Sequence, residues 1–270
     1  LELTGGMFFM AGPAIQGDNQ WHHMVGVRQG IRLHLYIDGI KYSNTNPAYA
    51  VNTNNNSGAE IGTLGGEAYG GETYEGQIDE IRVWNIARTD AQIRDNMYRE
   101  LPSPQADPNL VLYYKCNQIF LPIVPDNSLY GNIGILGMNP NVCWVASTAP
   151  IPYQSIANGN WSAQSTWNSG QGIPENDWSN VEIKTNVNLN QDKTLNDLTI
   201  AANSSLVIEP SSELTVTNDL VNNNGTSGLV LQSEASGTAS LLHTSNNVEA
   251  TVGRFIPAYI GNKGWHFLSS

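Results

Sequence analysis

The sequence predicts an all-β chain of two domains with one short helix. Three observations predict it. Short stretches alternate apolar and polar residues with period two, as half-buried strands do. Turn-forming Asn, Asp, Ser and Gly separate many of them. Only one segment, near residue 90, places apolar residues at helical spacing behind a capping signal.

With 270 residues the chain fits one large or two ordinary domains, and 40% hydrophobic residues suffice for a core. Only 13% of residues are charged, with 12 Lys and Arg against 24 Asp and Glu, giving a net charge of −12. That charge repels phosphate backbones and anionic lipid surfaces, so neither nucleic acid nor a membrane surface is expected as partner. It attracts cations, and Ca²⁺ is the natural candidate outside a cell. No run of about 18 apolar residues exists, so no membrane insertion is expected. Low charge with abundant Asn, Ser, Thr and Gly fits a secreted β protein, located outside the cell or on its surface. The first residue is Leu1 and the end, Trp265 to Ser270, reads as mid-strand, so a piece of a longer protein is expected. Cys116 and Cys143 lack the spacing of a zinc site. They read either as one disulfide between neighbouring strands or as two buried thiols.

Trp21 to Val27 and Ile31 to Asp38 both alternate, and a loop over Arg28-Gln29-Gly30 would close them as a hairpin with Gly30 left-handed. That register puts Trp21, His23, Val25 and Val27 opposite Ile37, Leu35, Leu33 and Ile31, an almost wholly apolar face. The other face carries His22, Met24, Arg32, His34 and Tyr36. His22 and His23 point to opposite faces and cannot share one ion, which makes His23 a core histidine. Ala59–Leu64 and Gly76–Trp84 read as strands around a loop rich in Gly and Glu. The helix runs from about Asp90 to Leu101, with Thr89 and Gln92 as a capping box and Ile93, Met97 and Leu101 as its apolar stripe. Asp90–Arg94 and Asp95–Arg99 are favourable pairs, and Pro102 ends the helix. Leu110–Lys115 and Asn141–Ser147 supply two more strands.

The motifs Trp21-His22-His23-Met24-Val25, Leu35-Tyr36-Ile37-Asp38-Gly39 and Gly76-Gln77-Ile78-Asp79-Glu80-Ile81-Arg82-Val83-Trp84-Asn85, followed by the capped helix, carry a resemblance. In order and spacing they resemble laminin-G-like, concanavalin A-like domains. The tail from Leu112-Tyr113-Tyr114 to Trp144–Pro150 is similar to the close of such domains in secreted bacterial surface proteins. The resemblance implies a concanavalin A-like jelly roll over residues 1–150, lacking the strands that usually precede the Trp-His-His hairpin. Gln77 to Arg82 is also similar to the Glu-x-Asp-x-x-Glu strand of family 16 glycoside hydrolases, which share the jelly roll. Retaining enzymes need two carboxylates about 5–5.5 Å apart. Here Gln77 and Arg82 stand where the two glutamates would be, which implies a non-enzymatic domain.

After a linker at 151–160, residues 161–270 change character. An entry with Trp161 and Trp167 precedes short apolar pulses at Val181–Ile183, Val187–Leu189, Leu198–Ile200, Leu206–Ile208, Leu214–Val216 and Leu229–Leu231. Pulses this short suit a β-solenoid with Asn ladders at its turns; a β-sandwich or other second β domain is the alternative. The segment also resembles the β-helical stretches that follow laminin-G-like domains in large exported bacterial proteins.

Candidate sites follow. His22, Arg32, His34 and Tyr36 share the polar hairpin face, which either lines a groove for a sugar or peptide or is simply solvated. Glu67, Glu72 and Glu75 form a carboxylate-rich loop that either holds Ca²⁺ or is a plain acidic loop. Residues 61–71 are similar to the calcium loop of pentraxins, with Glu67 the matching acid. No nucleophile elbow, phosphate loop or HExxH occurs. The leading expectation is a lectin-like binding or adhesion module for a glycan or extracellular protein. Accessory domains of a secreted polysaccharide-degrading enzyme, or a structural spacer, are the alternatives.

Overall fold

A computed structural model describes residues 2–3, 6–7, 18–30, 32–43, 61, 74–117, 122–137, 143–174 and 176–257. The chain divides into two units, Leu1–Ile151 and Pro152–Ser270. It is all-β in class, and the two α-helices named among the described residues have six residues or fewer. None of its described helices is long and apolar enough to cross a membrane.

In the first unit β1 (Glu2–Leu3) pairs antiparallel with β2 (Gly6–Met7). Strands β3 (Met24–Gln29), β4 (Arg32–Ile37) and β5 (Ile40–Ser43) form an antiparallel meander with β4 in the middle. Strand β6 (Ile81–Trp84), helix α1 (Asp90–Asp95) and β7 (Leu110–Tyr114) follow, β6 pairing antiparallel with β7. A last short pair joins β8 (Ile123–Val124) to β9 (Gly134–Ile135).

The hairpin forms with a different register from the one the alternation predicts. Gln29 pairs with Arg32, Val27 with His34 and Val25 with Tyr36, so the loop has two residues, with Gly30 at φ 62°. Val25 and Val27 therefore share a face with His34 and Tyr36 rather than with Leu33, Leu35 and Ile37. The reason is the central position of β4. Its residues Leu33 and Ile37 on one face, and His34 and Tyr36 on the other, are all buried. A strand covered on both sides gives alternation no solvent face to mark. Ile93 of α1 packs with Val25, Val27 and Tyr36 into a buried cluster.

The capping box at α1 is present in full: Gln92 N donates to Thr89 Oγ1 at 3.2 Å, and Thr89 N donates to Gln92 Oε1 at 3.0 Å. The helix is shorter than its apolar stripe predicts. The Arg82 guanidinium takes Asn96 O at 2.7 Å, a carbonyl that a helix continuing to Leu101 would bond internally, and Arg99 O at 2.5 Å. The strand expected from Gly76 begins only at Ile81, because Glu80 has φ 53° and breaks the extended run. The strand expected at Asn141–Ser147 is absent over its described part, where Ser147 Oγ instead caps Ala149 N at 3.1 Å. Of Ala59–Leu64 only Ile61 lies within the described residues.

The second unit is two parallel sheets whose strands alternate along the chain. One sheet orders β10 (Tyr153–Gln154), β12 (Asn180–Ile183), β14 (Lys193–Ile200), β16 (Glu213–Asn222) and β20 (Ser240–His243). The other orders β11 (Gly159–Asn160), β13 (Asn186–Leu189), β15 (Ser205–Ile208), β17 (Leu229–Leu231) and β21 (Thr251–Val252). Helix α2 (Gly225–Gly228) precedes β17, and a small hairpin, β18 (Ser233–Glu234) with β19 (Gly237–Thr238), follows it. Residues 151–160, expected as a linker, instead supply the first strand of each sheet, with buried Tyr153 paired to Val181.

Every apolar pulse lies within a strand. In-register pairing stacks Val181 on Leu198 and Leu220, and Val187 on Leu206 and Leu229, all of them buried. Asn and Ser side chains close the turns between stacked strands. Asn158 Oδ1 accepts from Asn186 N at 2.9 Å, Asn186 Oδ1 from Ser205 Oγ at 3.0 Å, and Asn224 Oδ1 from Asn203 N at 3.2 Å. Trp161 and Trp167 are buried edge to face, with ring centroids 4.8 Å apart.

Candidate functional site

The hairpin register decides the fate of the predicted polar face. Tyr36 is 1% exposed, and its hydroxyl donates to Asp90 Oδ1 at 2.7 Å, which Lys41 Nζ also reaches at 3.1 Å. His34 is buried beside it; burial, then the charges of Lys41 and Arg32, hold its imidazole below the ordinary value. Arg32, on the same face, is exposed. His22 belongs to the opposite face, alternating with Met24, Gly26 and Arg28. The structure thus brings His34 and Tyr36 together on one buried face of β4, where Tyr36 packs with Ile93 of α1, and it separates His22 from them. The four do not line one groove.

His22 has its own surroundings. Its Nδ1 lies 2.7 Å from Asp38 Oδ2 and its Nε2 lies 2.9 Å from Asp18 Oδ2. Asp38 Oδ1 also accepts His23 N at 2.9 Å, and Asp18 Oδ1 accepts Gln20 N at 3.0 Å. Burial opposes charge on the His22 ring, but hydrogen bonds to Asp38 and Asp18 outweigh it and raise its pKa. Next to it, Trp21 Nε1 donates to Thr148 Oγ1 at 3.0 Å. His23 faces the core, and burial, with Arg82 nearby, pushes it down to about 4. Neither aspartate was singled out from sequence. The available signal was Asp38 in the turn after β4, where the hairpin brings it beside the start of β3.

Around the strand compared with glycoside hydrolases, the acids are tied into the framework. Glu80 is ion-paired to Arg82 and accepts from Tyr113 OH at 2.6 Å; the two charged side chains are only 9% and 7% exposed. Burial raises the Glu80 carboxyl, with Arg82 opposing, and burial likewise raises the Tyr113 phenol. Tyr113 OH also accepts Leu101 N at 3.3 Å. Asp79 accepts from Ser147 Oγ at 2.5 Å and from Glu80 N at 2.9 Å. These contacts bind β6, β7 and the segment after α1 to one another.

Of the proposed calcium ligands, Glu67 and Glu72 lie outside the described residues and Glu75 is exposed. Among the described residues no group of three or more His, Cys, Asp or Glu is placed to hold a metal ion. Cys116 and Cys143 are both free thiols. Burial, then Asp79 and Glu80, push the Cys116 thiol up to about 12.

The second unit carries an open polar cleft of about 520 Å³ lined by residues 218–222 and 244–248. It arises because β20 pairs only with Glu213–Val216 of the longer β16. Ser245 Oγ then accepts Leu220 N at 2.7 Å in place of a strand partner. Asn, Thr and Ser groups line the cleft together with the Asp219 carboxylate and no Lys or Arg, so it presents mainly hydrogen-bonding groups.

No curated relative matches the chain. A solved structure of a candidate carbohydrate-binding protein from Bacteroides ovatus is 23% identical, with a TM-score of 0.38 over 50% of this chain. The match spans 41% of that protein's own length. Residues 4–94, which include the hairpin, β6 and the start of α1, match the family model of the concanavalin A-like lectin/glucanases superfamily.

Proposed function

We propose that this chain is a non-catalytic, extracellular carbohydrate-binding module, its first unit lectin-like and its second a β-solenoid that carries it. The observation that carries this proposal is the engagement of Glu80. The family matched at residues 4–94 joins lectins and glucanases, and a glucanase needs paired carboxylates free to act on a glycosidic bond. Here Gln77 and Arg82 occupy the flanking positions, and Glu80 is committed to Arg82 and Tyr113. The solenoid assignment rests on strands that alternate between two parallel sheets with stacked apolar columns.

Glycan arrays and affinity electrophoresis in neutral and acidic polysaccharides, with a reducing-sugar assay in parallel, test the proposal on the full chain. Retention without sugar release is expected. Release of reducing ends, or retention by none of the polysaccharides, overturns it. Thr244→Ala and Asn246→Ala separate a contribution of the cleft from one of the first unit. A calcium requirement through Glu67, Glu72 and Glu75 is part of the proposal; loss of retention in EDTA, restored by Ca²⁺, is its expected sign.

A further inference from the structure

A neutral imidazole carries one N–H and one lone pair, whereas an ionised carboxylate only accepts. His22 has a carboxylate oxygen within hydrogen-bond distance of both ring nitrogens, 2.7 Å at Nδ1 and 2.9 Å at Nε2. Both contacts are hydrogen bonds at once only when the ring is the imidazolium. We infer that His22 is a proton-operated latch that fastens the Asp18–Gln20 loop to the β4–β5 turn and releases the loop when the ring is deprotonated.

The two jaws differ. Asp38 sits in the turn with φ 49°, and its second oxygen is committed to His23 N. Asp18 lies on an exposed loop, and its contact is the longer one. A neutral ring therefore keeps its single N–H on Asp38 and gives up Asp18, which water then solvates. The charged groups facing His22 are these two carboxylates; His23, on the opposite face, stays neutral near neutrality and is influenced by Arg82 and Asp38.

The direction of the response follows. The ring's pKa is raised above its ordinary 6.5 by the two carboxylates, so the latch is closed in acid and opens as pH rises through the elevated value. Trp21 lies between the loop and His22, and its indole N–H holds Thr148. Opening the latch loosens that anchor, so pH below the raised His22 pKa orders the approach to β3 and pH above it frees that approach.

The test is NMR of the full chain, following the five histidine Hε1 signals and the tryptophan indole N–H signals from pH 5 to 9. His22→Gln and Trp21→Phe assign the two peaks. The expected result is a His22 midpoint above 6.5, with the Trp21 indole signal moving at the same midpoint. Asp18→Asn, a change on an exposed loop, lowers the His22 midpoint toward 6.5 and uncouples the Trp21 signal. A wild-type midpoint at or below 6.5, or a Trp21 signal indifferent to His22 titration, overturns the latch. A midpoint unmoved in Asp18→Asn overturns it as well.

Discussion

Replacing Arg82 by Met tests how the first unit is held together and how firmly Glu80 is tied into it. The guanidinium meets Glu80, Asn96 O and Arg99 O, and the Arg82 and Glu80 side chains are 7% and 9% exposed. Methionine keeps much of the apolar stem but leaves a carboxylate buried without its counter-charge and two carbonyls without a donor. Breaking one side of a buried pair costs about 3–5 kcal/mol. At about 1.4 kcal/mol per factor of ten, amides of β6 and β7 would exchange about 10² to 10³·⁵ times faster. Hydrogen exchange read by mass spectrometry measures this, with peptides from β12 to β17 as the internal reference. Glu80→Gln combined with Arg82→Met removes the stranded charge, so protection returns in part. Unchanged exchange in Arg82→Met, or no recovery in the double variant, would refute the assigned role of the pair.

Other outcomes are open to measurement. Thr89→Ala removes half of the capping box and costs about 1 kcal/mol, seen as roughly fivefold faster exchange over 90–97; unaltered exchange counts against the cap. Leu206→Ala opens a cavity between Val187 and Leu229 and costs about 2.7–5.0 kcal/mol, which faster exchange in β13, β15 and β17 would report. In a Cys143→Ser background at pH 8, Cys116 should react with a disulfide reagent roughly 50-fold more slowly than in urea, since its thiol is pushed up to about 12 while its thiolate becomes more nucleophilic. Equal rates in buffer and urea would contradict that burial.

Local signals were legible in the sequence and long-range ones were not. Thr89 and Gln92 form their box because both bonds join residues three apart, a distance any helix start enforces. The six pulses of the second unit each fell in a strand, since each brings its own buried side chains. By contrast, the hairpin register could not be read from alternation, because β4 is covered on both faces and His34 and Tyr36 go inside with the valines. His22 stood out as a polar residue beside Trp21, but its partners lie four and sixteen residues away across a turn. The helix end was also hidden, for Arg82 reaches it from another strand.

What the sequence determined by itself is the all-β class, the position of about half of the described strands and the start of the helix. Each of these depends on a side chain's own conformational preference or on neighbours a few residues off. Only the tertiary structure decided that both faces of β4 are buried and that Glu80 is bound rather than free. It also decided that His22 bridges two carboxylates. A side chain's charge state and accessibility are set by whatever surrounds it, and here those groups come from strands and turns remote in the chain.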